Sequence, residues 1–180
     1  MGGRQGLVLG TIILAMAASP GPAAAQPAPA VEAACPADAA PLPPELAGWT
    51  ARTPLAAAAD VPGLAGARLT IGGAVDLSLL PTPRLHYALR PENPGGSVSN
   101  GGMASFAVER EGRYRVAISS AAWIDVVRDG AVVASVAHGR GPACSGIRKM
   151  VDFTLQPGDY VLQIAGSGSP AISVLVARLP

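Results

Sequence analysis

Two copies of one pattern limit what this chain can fold into more than anything else in it. Phe106-Ala-Val108 leads through Glu109-Arg-Glu-Gly112 to Tyr114-Arg-Val116-Ala-Ile118. Phe153-Thr-Leu155 leads through Gln156-Pro-Gly158 to Tyr160-Val-Leu162-Gln-Ile164. Each copy reads as a strand ending in Phe-x-(Val/Leu), a glycine turn and a tyrosine-led strand. Side chains alternate between the two faces of a strand, so Tyr114, Val116 and Ile118 share one face, as do Tyr160, Leu162 and Ile164. Between the copies, Trp123-Ile-Asp-Val-Val-Arg and Ala131-Val-Val-Ala-Ser-Val-Ala are strand-like runs joined by Asp129-Gly130, a strong two-residue hairpin signal.

The flanking segments extend the same reading. Arg68 to Ile71 and Ala74 to Leu79 alternate, with Val75, Leu77 and Leu79 on one face; Pro81 and Pro83 then end the ladder. Arg84 to Leu89 alternates again and sets His86 opposite Leu85, Tyr87 and Leu89. Pro91 to Gly102 is the longest turn-rich loop, the kind that carries function or moves. Ile147 to Leu155, Tyr160 to Ala165 and a last strand with Ile172, Val174 and Val176 complete the set. Eight to ten strands and no helix of core-building length predict an all-β fold, an antiparallel β-sandwich of jelly-roll-like character over residues 66–180. Residues 26–65, rich in proline and alanine, read as an extended N-terminal arm in which Trp49 is brought onto the body of the domain.

The first 25 residues have a different composition. Arg4 precedes a thirteen-residue apolar run from Gly6 to Ala18, and Ala23-Ala24-Ala25 supplies small residues before Gln26. This predicts a cleaved signal peptide over 1–25, because the run is shorter than the ~20 residues a bilayer needs. No later run approaches membrane-spanning length. The expected location is periplasmic or secreted. The chain has 13 Lys plus Arg against 12 Asp plus Glu, and loss of Arg4 with the signal leaves the two equal. Without excess positive charge there is no long-range pull on phosphate backbones, so nucleic acid is not an expected partner. Cys35 and Cys144 are the only two cysteines; an even count in an exported chain predicts a disulfide that fastens the arm.

Residues 66–178, with their strand–glycine–tyrosine units, resemble in architecture the small exported β-sandwich modules at the C-termini of secreted peptidases and carbohydrate-active enzymes, the pre-peptidase C-terminal type. More narrowly, Trp123-Ile-Asp-Val-Val-Arg-Asp-Gly and His138-Gly-Arg-Gly-Pro-Ala-Cys-Ser-Gly-Ile-Arg-Lys resemble a group of small exported alphaproteobacterial proteins labelled homogentisate 1,2-dioxygenase. That label implies a non-haem Fe(II) enzyme that cleaves an aromatic ring. Such a centre needs two imidazoles and a carboxylate on one face. His86 and His138, the chain's only histidines, would both have to serve, with Glu92 or Asp125 as the acid. No His-x-His grouping supports them, and enzymes properly of that name are far longer.

Other chemistry has weaker signals. Cys144, His138 and Asp125 could form a nucleophilic set only if Cys144 stayed unpaired. Ser145 lies outside a Gly-x-Ser-x-Gly elbow, and Gly95-Gly96 does not open a helix as a phosphate loop would. Arg110, Arg113 and Arg115 form one basic cluster. The set that reads best is Trp123, Asp125, His138, Arg140, Arg148 and Lys149, candidates for binding a carboxylate or polar ligand. The expectation is a non-catalytic ligand-binding or accessory module without a cofactor, whose partner is a small molecule or a cell-envelope component. The alternative is the iron dioxygenase.

Overall fold

A computed structural model describes Gly2, Cys35 and residues 41–180; the expected signal peptide and most of the proline-rich lead-in lie outside the described residues. Eleven strands run in chain order: β1 Arg52–Ala56, β2 Ala74–Ser78, β3 Leu80–Pro81, β4 Asn100–Val108, β5 Gly112–Ile118, β6 Trp123–Arg128, β7 Ala131–Val132, β8 Ser135–Gly139, β9 Lys149–Leu155, β10 Gly158–Ser167 and β11 Ala171–Arg178. They form two sheets. Sheet A has the order β1-β2-β11-β5-β9-β8, and sheet B the order β3-β4-β10-β6-β7. Every pairing is antiparallel except β1 with β2.

The duplicated pattern explains why there are two sheets. Each glycine turn is a corner between sheets: β4 belongs to sheet B and β5 to sheet A, whereas β9 belongs to A and β10 to B. The copies therefore pair crosswise. Phe106 of the first stands opposite Tyr160 of the second, and Tyr114 opposite Phe153. The Phe106 and Tyr160 rings stack with centroids 5.5 Å apart, a contact worth about 0.5–1.5 kcal/mol beyond its buried area. Both tyrosines also close their own corner. The Tyr114 hydroxyl donates to the Arg110 carbonyl at 2.7 Å and the Tyr160 hydroxyl to the Gln156 carbonyl at 2.8 Å, four residues upstream in each case. This is the tyrosine-corner device of β-sandwiches.

The faces fall as alternation dictates. Tyr114, Val116, Ile118, Tyr160, Leu162, Ile164, Val75, Leu77, Ile172, Val174 and Val176 are all buried in the core between the sheets. The Asp129-Gly130 hairpin joins β6 to β7 with both residues at positive φ, 50° and 74°, the backbone that a two-residue turn between twisted strands requires.

A second apolar layer lies on the outside of sheet A. Pro44–Thr50 is a 3₁₀ helix, whose three-residue period puts Leu46 and Trp49 on one face. Those side chains are 1% and 2% exposed, packed on Ala74, Ala117, Leu175, Ala177 and Ile147. Strand β11 is thus covered on both faces, which is why Val174 to Ala177 reads as a continuous apolar run. Beside this layer Arg115 grips Asp152 in a two-pronged pair, 2.7 and 2.9 Å, with Glu45 of the 3₁₀ helix 3.8 Å away.

Four segments differ from the sequence reading. The run from Ala131 to Ala137, read as one strand, is divided between β7 in sheet B and β8 in sheet A. Residues 52–56, read as arm, form the edge strand β1. Pro54 sits within it, as a proline can on an edge strand. Residues 68–71 make only a single bridge, Arg68 with Ser105, with Leu69 buried against the core. Residues 84–89 are not a strand but a cover over sheet B. Tyr87 donates to the Ile164 carbonyl at 2.9 Å, across a position where a Cβ on Gly101 would collide with both groups.

Candidate functional site

The connection Ser119–Ala122 carries the chain from β5 in sheet A to β6 in sheet B, and Lys149 opens β9 directly beside it, opposite Ile118. The Lys149 ammonium reaches across this end of the sandwich. It donates to the Ala122 carbonyl at 2.9 Å and stands 5.4 Å from the centre of the Trp123 ring, within range of a cation–π contact. Burial pushes its pKa down, partly opposed by the charge of Asp125.

Lys149 separates two clefts. One, of about 370 Å³, is lined by Ala121, His138, Gly139, Arg140, Arg148 and Lys149. The other, of about 260 Å³, is lined by Trp123, Lys149, Ala121, Ala122, Ala165 and Gly166, with Asn93 and Gly95 of the long loop. The fold thus gathers five of the six sequence-derived candidates, Trp123, His138, Arg140, Arg148 and Lys149, at one end. Asp125 is directly behind them. His138 lies in strand β8 rather than in a loop, and β8 and the residues before β9 supply the basic wall. Among the described residues no carboxylate forms an ion pair with Arg140, Arg148 or Lys149.

A larger cleft, about 390 Å³, also has arginines, Arg68, Arg110 and Arg178, but Glu109 shares its wall. Arg68 is 3.6 Å from Asp159, and Arg178 donates to the Glu111 carbonyl. Its positive charge is offset from within. Within the Arg110, Arg113, Arg115 group, Arg115 is committed to Asp152 on the outside of sheet A.

Asp125 is 6% exposed. Its Oδ1 accepts the Trp123 indole N–H at 2.8 Å, which fixes the plane of that ring, while its Oδ2 has no partner among the described residues. Gln163, opposite Asp125 in the ladder, binds the Leu89 backbone through both its amide ends at 3.0 Å, holding the loop over the acid. Burial raises the Asp125 pKa, opposed by the Trp123 hydrogen bond; the Glu92 charge raises it further and Lys149 lowers it. Tyr87, half-buried nearby, is pushed up to about 12 by that burial and by the Asp125 charge. Tyr87 and Gln163 were not among the sequence candidates. Gln163 does leave a signal, a lone amide among the apolar residues from Val161 to Ala165.

The raised Asp125 pKa has a defined effect on stability. The folded chain holds this proton more tightly than the unfolded chain, so the contribution is fully present below the ordinary carboxyl range, ~3.9. It is lost as pH rises through the higher folded value. Urea unfolding across pH 3 to 7 should show this decline in the wild type and a flatter profile in Asp125→Asn, which retains the acceptor for Trp123. Equal slopes in the two proteins would contradict it.

The two histidines that the resemblance would require for iron lie on different parts of the fold. His138 is on β8, the terminal strand of sheet A. The backbone N–H of His86 bonds the Ala59 carbonyl, next to the Ala58 bridge at the far edge of sheet B. Among the described residues no three His, Cys, Asp or Glu side chains form a metal-holding group. The expected disulfide joins Cys35 to Cys144, with Cα atoms 5.5 Å apart, and leaves no free thiol at Cys144 for a nucleophilic set. Among the described residues no helix is long and apolar enough to cross a membrane. The chain matches no family model and no curated protein.

Proposed function

We propose that this chain is a non-catalytic binding module, periplasmic or secreted, that recognises carboxylate groups of a small molecule or cell-envelope component in the cleft between β8 and Lys149. The single observation that carries this reading is the convergence of Arg140, Arg148, Lys149 and His138 on one cleft with no ion-paired acid among the described residues. Guanidinium groups meet carboxylates through two parallel hydrogen bonds, which gives such a wall geometric preference as well as charge. Trp123, held in plane by Asp125, offers an apolar ring face beyond Lys149. A ligand with a carboxylate next to a ring or an aliphatic body fits both. The export assignment is supported by the signal-like first 25 residues and by the disulfide, which forms in oxidising compartments.

Calorimetric titration with tetragalacturonate, against its uncharged methyl ester, tests the proposal. Binding should be confined to the acid form and should weaken as salt rises. The Arg140→Ala, Arg148→Ala double variant should lose about tenfold in affinity, ~1.4 kcal/mol. Equal binding of acid and ester, or an unaffected double variant, would overturn it.

A further inference from the structure

We propose that the free edge of β8 takes an extended peptide segment as a seventh strand of sheet A, antiparallel to β8, with acidic residues at the N-terminal end of the segment seated in the basic cleft. This names a partner class for the site above and rests on the carboxylate reading of that cleft.

The two sheets have four edges, and three of them are guarded. β1 carries Pro54 at its centre and an Arg52–Asp76 ion pair at 3.2 Å. β3 is two residues long, ends on Pro81, and the edge of β4 beyond it is closed by the Ala58 and Arg68 bridges. β7 is also only two residues. Short strands, prolines and charges are the usual means of keeping a sheet edge from pairing.

β8 has none of these. Its five residues, Ser135–Gly139, are all exposed, and β9 is its only strand partner among the described residues. From Ala131 to Ala137 the chain has no charge and no proline, and Val132 and Val136 are about half exposed, at 51% and 48%. A bulge lies near the N-terminal end of β8, between Ser135 and Ala137; from Ala137 to Gly139 the ladder with β9 is regular. The regular part of the free edge is therefore the part that adjoins the cleft.

Direction follows from charge. His138 and Gly139 line the cleft and Arg140 follows them, so the positive charge lies at the C-terminal end of β8. A strand added antiparallel, the stronger ladder, brings its own N-terminal end there. Main-chain hydrogen bonds would supply affinity and the acids would set register, the division of labour usual in strand addition.

The test uses the wild-type chain and an acetylated, amidated peptide, Asp-Asp-Val-Thr-Val-Thr-Val. Two analogues are N-methylated on alternate residues, one on the odd set and one on the even. Because only one set of N–H groups can face β8, one analogue should bind at least tenfold more weakly than the parent and the other should lose much less. Moving both acids to the C-terminal end should also weaken binding at least fivefold. If both analogues match the parent while tetragalacturonate still binds, the carboxylate reading stands and strand addition is overturned. If neither the peptide nor tetragalacturonate binds, both fall. A concentration-dependent dimer in sedimentation that the peptide cannot displace would assign the edge to a second copy and overturn the proposal.

Discussion

Replacing Trp49 by alanine is expected to lower the free energy of unfolding by about 3–5 kcal/mol, the range for truncating a large buried aromatic. The side chain is 2% exposed on the outside of sheet A, where Leu46, Ile147, Ala117 and Leu175 surround it. Its indole N–H also donates to the Ser145 carbonyl at 2.8 Å, so the substitution leaves that acceptor without a partner as well. Trp49→Phe should cost clearly less, because it keeps most of the contact area and loses the hydrogen bond. Chemical denaturation of the three proteins measures both effects. A Trp49→Ala loss below about 1 kcal/mol would mean that the 3₁₀ segment is not part of the cooperative fold.

Removing the Cys35–Cys144 bond should cost a comparable amount. The two residues are 109 positions apart, and in the chain-entropy account a closure of that size stabilises by about 4–5 kcal/mol. Urea unfolding with and without reductant gives the difference directly, and thiol titration of the oxidised, denatured chain should find no free thiol. Two free thiols would contradict it. Trp49 lies on the body of the domain as expected from the sequence, and Leu46 joins it, so reduction should leave residues 44–56 protected from proteolysis. The loop around Cys144 has its own supports. The Ser145 hydroxyl donates to the Pro142 carbonyl at 2.7 Å and accepts the Ile147 N–H at 3.0 Å.

The alternation of apolar residues made the faces of β2, β5, β10 and β11 readable, since a period of two has only one structural meaning for a half-buried strand. It could not name partners. Nothing in Phe106 or Tyr160 alone says that they stand opposite each other, because alternation assigns a face and not a neighbour. Leu85, Tyr87 and Leu89 alternate as a strand would and are half-buried, yet they cover sheet B through Tyr87 and the clasp of Gln163 on Leu89. Strand β1 was hidden by Pro54.

The candidate site was legible as residue types. His138, Arg140, Arg148 and Lys149 are close in sequence, and Trp123-Ile-Asp125 alternates onto one face. What the sequence could not show is that the Ser119–Ala122 crossing brings those two groups together around Lys149. The Asp125 Oδ2 and the β8 edge, both without a partner among the described residues, are likewise matters of packing and topology.

Amide and indole chemical-shift mapping of the isotope-labelled chain during a tetragalacturonate titration locates the ligand on the fold. Shifts are expected at the Gly139, Arg140, Arg148 and Lys149 amides and at the Trp123 indole N–H, with the buried Trp49 indole unmoved. Shifts centred instead on Arg68, Arg110 and Arg178 at the opposing cleft, or no localised shifts at all, would contradict a ligand site at the Lys149 end of the sandwich.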